Sequence, residues 1–211
     1  MSVGSREPKE TGRVEAFSDG VFAIAMTLLV LNIKVPIVQE PGTLGSLLRH
    51  QWPSYVAFVI SFAFIGIMWV NHHRLFGHIR RIDQNLLVLN GLLLMGVTAV
   101  PFPTAVLSQY LGKADQKAAA MLYAGVYVTV AVFFNLLWRY AASGHRLLGE
   151  QVNAAEVNRI SRQYAFGPLL YLVCFALAYV SVAASLALNL GLAVFFALPP
   201  SRVVREKAQR A

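Results

Sequence analysis

Charge is what this sequence has least of. Asp, Glu, Lys and Arg make up 13% of its 211 residues, where a soluble domain carries about a quarter. That deficit excludes an ordinary water-soluble surface, and hydrophobic residues fill the gap at 57%, with mean hydropathy +0.57. Cysteine is nearly absent as well. Cys174 stands alone inside an apolar run, which excludes an internal disulfide and reads as a small hydrophobe. Enzyme signatures are missing too. The five histidines show no HExxH or other zinc spacing, and no Gly-rich phosphate loop or G-x-S-x-G elbow occurs. The expectation is a protein that is not an enzyme and holds no cofactor or metal.

What is present is a series of long apolar runs. They read as an all-α membrane protein with six spans. A polar tail occupies residues 1–12, a six-helix transmembrane domain residues 13–200, and a basic tail residues 201–211. The first span is expected over 17–35, stopped by Pro36, with a loop over 37–51 behind it. Trp52-Pro53-Ser54 opens the second span, which reaches about residue 71 and gives way to a basic turn over 71–83. The third covers about 86–107, its last turns kinked or ended by Pro101 and Pro103. A fourth span is expected over 118–140, and then a polar, partly helical connection over 143–163. The fifth starts near Pro168 and runs to about 182, and the sixth covers about 185–198; one long kinked helix is the alternative for this pair. The first sixteen residues are polar and a span-length run follows them, which predicts no cleaved leader.

The net charge of +8 falls in short clusters between the apolar runs, a pattern of membrane topology and not of nucleic-acid binding. An even number of spans puts both termini on one side. Fourteen of the 18 Lys and Arg residues lie on that side; Lys34, Arg49, Lys113 and Lys117 lie on the other. The positive-inside rule then makes both termini cytoplasmic, in a plasma-membrane protein. Asn90 and Asn135, inside spans, are expected to hydrogen-bond between helices.

The chain is organised around the stretch that opens with Arg13, Phe17, Ser18 and Asp19 and continues as nearly pure hydrocarbon. A carboxylate at this position is kept at the interface, paired, or used beside a water-filled path. Arg13 and Ser18 offer pairing, and a helix-start capping role is equally open. Ile24, Leu28 and Leu31 recur at intervals of four and three, and so share one helix stripe with Thr27 beside it; a path along that stripe would leave Phe22, Met26 and Leu29 facing neighbouring helices. Periodicity alone fits plain helix packing as well as a pore lining.

Arg13-x-x-x-Phe17-Ser18-Asp19 resembles the RxxxFSD signature of the transmembrane protein 175 potassium channel family. Trp69-Val70-Asn71-His72-His73-Arg74-Leu75-Phe76 is similar to that family's motif at the end of its second helix, and Pro101-Phe102-Pro103-Thr104 to its third-helix pattern. The resemblance implies a homotetramer around a central pore lined by the first helix, with potassium as permeant ion and the bilayer and its own copies as partners. It places the constriction at Ile24, Thr27, Leu28 and Leu31. Arg13, Phe17, Ser18, Asp19, Trp69, Asn71, His72 and His73 would form a buried polar network fixing that helix. The TVGYG potassium filter is absent, so selection would rest on a dewetting hydrophobic ring. Two rival readings remain: a proton-coupled transporter or proton leak using Asp19 and a histidine, and a non-conducting structural membrane protein.

Overall fold

A computed structural model of the chain describes residues 11–38, 42–149 and 152–197. The tails expected over 1–12 and 201–211 fall almost wholly outside these residues. Helix α1 (Gly12–Leu28) tightens into a 3-10 turn over Leu29–Asn32. It starts five residues before the expected span, because Thr11 Oγ1 donates to Glu15 Oε1 at 2.5 Å and Glu15 N–H closes the first turn onto Thr11 O. The tightening keeps Leu31 on the face of Leu28, since i and i+3 eclipse at three residues per turn.

The expected loop before the second span holds a short helix, α2 (Leu44–His50), capped by Thr43, whose Oγ1 accepts from Ser46 N–H at 3.3 Å. Helix α3 (Trp52–His78) opens on Pro53 and runs through the stretch expected to be a basic turn. The segment after Asn71 stays helical because its apolar and polar buried groups, His72, Leu75 and Phe76, keep helical spacing against the core. The third span is two helices, α4 (Gln84–Ala99) and α5 (Pro101–Tyr110), parted at Val100 by the prolines. Helix α6 (Gln116–Ala142) follows the turn at Gly112, where φ is +81°.

The expected position of the fifth span is corrected. Helix α7 (Ala154–Val180) begins well before Pro168 and carries that proline in its interior. Pro168 has no N–H for the carbonyl four residues back, Tyr164 O. Asn135 Nδ2 of α6 donates to that oxygen instead, at 2.8 Å. A partner helix thus supplies what the proline removes, as the membrane interior demands. The alternative of one long final helix is excluded by Ser181, whose extended backbone (φ −146°, ψ 112°) separates α7 from α8 (Val182–Ala197).

Among the described residues five helical stretches are long and apolar enough to cross a membrane: Gly12–Asn32, Trp52–His78, Gln84–Tyr110, Gln116–His145 and Ala154–Val180; α8 is a shorter apolar helix. Helix α6 packs on α4, α5 and α7, and α1 lies on α3 and α4. The start of α1 meets the end of α3 through Asp19 and Trp69 and the start of α4 through Ser18 and Asn90. The end of α3 meets the chain beyond α6 where Arg80 N–H donates to Leu147 O at 2.9 Å, and Arg74 Nη1 reaches Phe196 O of α8 at 3.5 Å. The first described helix therefore begins, and the last one ends, at the same end of the bundle.

The core contains one cluster of buried hydroxyls with a determined direction. Thr104 Oγ1 donates to Val100 O at 2.8 Å, so Ser61 must donate to Thr104 (2.8 Å) and Tyr123 to Ser61 (3.0 Å). Tyr127 in turn donates to Tyr123 at 3.1 Å. Each oxygen spends its single proton once, and α3, α5 and α6 are joined.

Candidate functional site

Helix α1 has two faces of opposite character. Ser18, Phe22, Ala25 and Leu29, spaced four, three and four apart, are all buried. On the other face Ile24, Leu28 and Leu31 are 59%, 42% and 70% exposed, and Thr27 is exposed beside them. Phe22 and Leu29 pack in the core and Met26 packs against it, on the face expected to meet neighbouring helices. Aliphatic side chains left uncovered along a helix of the bundle await lipid, a second copy or an ion path.

Hydrogen bonds hold α1 at both ends. At its start, His72 Nε2 lies 2.9 Å from Asn90 Oδ1, Asn90 Nδ2 donates to Ser18 Oγ at 3.1 Å, and Ser18 Oγ donates to Val14 O at 2.7 Å. An amide oxygen only accepts, so the His72 proton is on Nε2. The His72 ring stacks on Phe76 at 4.4 Å and meets Phe22 edge-on at 5.4 Å. At the far end Asn32 Nδ2 donates to Pro101 O at 3.2 Å. Besides these ties and the bond from Trp69 Nε1 to Asp19, apolar packing is what holds α1 among the described residues. Thr27 Oγ1 turns its proton back onto Ile24 O at 2.9 Å, so the oxygen's lone pairs are what it offers outward.

The expected polar network is only partly assembled within one chain. Ser18, Asn71 and His72 are buried, whereas Arg13, Phe17, Asp19, Trp69 and His73 are exposed, Phe17 by 67% and Trp69 by 42%. Within one chain Asp19 meets Trp69 of the expected network and not Arg13. The carboxylate accepts from Trp69 Nε1 at 2.8 Å, and among the described residues no ion pair joins it to Arg13. Six residues is more than one and a half helical turns, which carries Arg13 away from Asp19 along the axis. Asn90, expected only to bond between helices, is the hub that links α3 to α1. Its signal in the sequence was a lone amide in an apolar span, where an unmatched polar group is costly.

A bundle of apolar helices with inward polar ties and one aliphatic face exposed on its first helix defines a multi-pass membrane protein. A family model described as the endosomal/lysosomal potassium channel TMEM175 matches residues 13–101. The chain is 54% identical over 199 residues to a potassium channel of Chamaesiphon minutus, covering 93% of this chain and 98% of that one. It is 48% identical over 189 residues to a potassium channel of Streptomyces collinus, at 89% and 91% coverage. The crystal structure of a lysosomal potassium-selective channel TMEM175 homologue from Chamaesiphon minutus superposes with a TM-score of 0.82 at 52% identity, over 90% of this chain and 97% of that one. The chain belongs to the TMEM175 family.

Proposed function

We propose that the chain is a potassium channel that conducts K+ passively, as a homotetramer, through a hydrophobic constriction formed by α1. The observation that carries this reading is the division of α1 into a tied, buried face and an exposed aliphatic stripe of Ile24, Leu28 and Leu31. Four copies placed with these stripes inward would enclose a path too apolar to stay wet when narrow. A small widening admits a partly dehydrated cation, and potassium gives up water at less cost than sodium. Thr27, its proton already spent on Ile24 O, would face the ion with oxygen lone pairs. Both termini are assigned to the cytoplasm and the channel to the plasma membrane, on the charge distribution of the sequence.

The proton-coupled alternative is not favoured. Asp19 is bound to Trp69 and His72 to Asn90, and among the described residues no hydrogen bond joins Asp19 to His72. The named bacterial relatives are channels, which supports a transport protein that is not an enzyme.

The test is flux and reversal potential in mixed potassium and sodium, with native mass spectrometry for the copy number. Ile24→Asn should keep the path wet, raise conductance and reduce preference for potassium. Thr27→Val should weaken selectivity with little change in conductance, and Leu29→Asn, at a buried position, should harm stability and leave selectivity alone. A stable conducting monomer, or an Ile24→Asn current identical to wild type while Leu29→Asn alters selectivity, would refute the assignment.

A further inference from the structure

We propose that a polar cavity between the end of α3 and the start of α7 binds a phosphate group, from a lipid headgroup or free in solution. The cavity has a volume of about 210 Å³ and is lined by Arg74 and His78 of α3 and by Glu156, Arg159 and Gln163 of α7, over a floor that includes Leu75 and Ile160. The spacing is helical on both sides. Positions 74 and 78 share one face of α3, and 156, 159 and 163 share one face of α7. Two polar faces thus meet across a hollow in a chain that is otherwise poor in charge.

Charge and shape favour an oxyanion. Among the described lining residues the guanidinium groups of Arg159 and of Arg74, which also reaches Phe196 O, stand with the Glu156 carboxylate, and a planar guanidinium fork matches two phosphate oxygens. The carboxylate is a weak competitor. Glu156 sits 4.0 Å from Arg159, three residues along the same helix, with both side chains substantially exposed; such a pair contributes little and exchanges readily. The hollow also lies at the right depth for a headgroup. A helix of 27 residues such as α3 or α7 is about 40 Å long, while bilayer hydrocarbon is about 30 Å thick, so the terminal turns reach the headgroup layer. Basic pockets between membrane helices at this level suit anionic headgroups. The site lies apart from the α1 stripe and does not depend on conduction.

The experiment uses the full chain in detergent and reads binding, not current. One arm adds phosphatidylglycerol or phosphatidylcholine and counts bound lipid by native mass spectrometry; the other follows the thermal midpoint as inorganic phosphate replaces chloride at constant ionic strength. Selective retention of phosphatidylglycerol identifies a lipid headgroup as the source, and a saturating rise with phosphate identifies the free ion; either supports the site. Arg159→Gln should weaken the effect roughly tenfold, as expected for losing one charge-assisted contact, and Glu156→Gln should strengthen it. Opposite signs separate recognition from general damage, which would weaken both. Absence of selectivity in both arms, or equal binding in the two variants, overturns the proposal.

Discussion

Asn135 gives the sharpest test of how this bundle tolerates a proline inside a span. Its amide donates to Tyr164 O at 2.8 Å, the carbonyl that Pro168 leaves without a helical donor. Asn135→Leu keeps the apolar volume and strands that oxygen. Leaving a buried acceptor unsatisfied costs about 1–3 kcal/mol, and interhelical bonds in membranes average about 0.6 kcal/mol with a maximum near 1.7. We expect a loss of about 1–2 kcal/mol. In a Pro168→Ala background the new N–H serves Tyr164 O within α7, so the same Asn135→Leu change should cost close to nothing. The four proteins form a double-mutant cycle, read by reversible unfolding in mixed detergent micelles. The coupling between the two sites should then be about as large as the single-mutant loss. Equal losses in both backgrounds would refute the idea that Asn135 exists to satisfy the proline's orphan.

Three further outcomes are expected. Asn90→Leu strands the His72 Nε2 proton and frees Ser18 from α4, at about 1–3 kcal/mol; Ser18→Ala should cost less, and thermal unfolding of both variants checks the order. Asp19→Ala removes only the acceptor for Trp69 Nε1, so a single chain should lose no more than about 1.5 kcal/mol; a much greater loss confined to the assembled oligomer would place Asp19 at a subunit contact. Asp83, which caps α4, is held below the usual carboxylate range by the Tyr140 phenol, which donates to it at 2.6 Å, and then by Leu86 N–H at 2.8 Å. A depressed pKa contributes stability that is present above about pH 4 and lost as pH falls through the folded value. Tyr140→Phe should raise that pKa and move the acid limb of the stability curve to higher pH.

The two-faced character of α1 was legible because a period of 3.6 is written directly in Phe22, Leu29, Ile24 and Leu31. The spans were legible from their lack of charge. The end of α3 was not, since Asn71 to His78 have the composition of a turn; what keeps them helical is the burial of His72 through Asn90, a residue eighteen positions away. Pro168 misled for a related reason. A proline inside a span reads as a helix start until the donor from another helix is known, and no local pattern names Asn135 as that donor. Within one chain Arg13 does not pair with Asp19, because proximity in sequence ignores direction; Trp69, fifty residues on and part of the expected network, faces the carboxylate.

The buried hydroxyl series from Tyr127 through Tyr123, Ser61 and Thr104 ends on Val100 O, and the series from His72 through Asn90 and Ser18 ends on Val14 O. Both are one-way streets that stop at a peptide oxygen. A Grotthuss relay needs a last member that can release a proton as well as receive one, and a backbone carbonyl has none to release. Any proton entering either series would also leave every donor reversed, with no return until each group turned in a packed interior. These series therefore act as latches: they lock helices together and offer no through-going proton relay of their own.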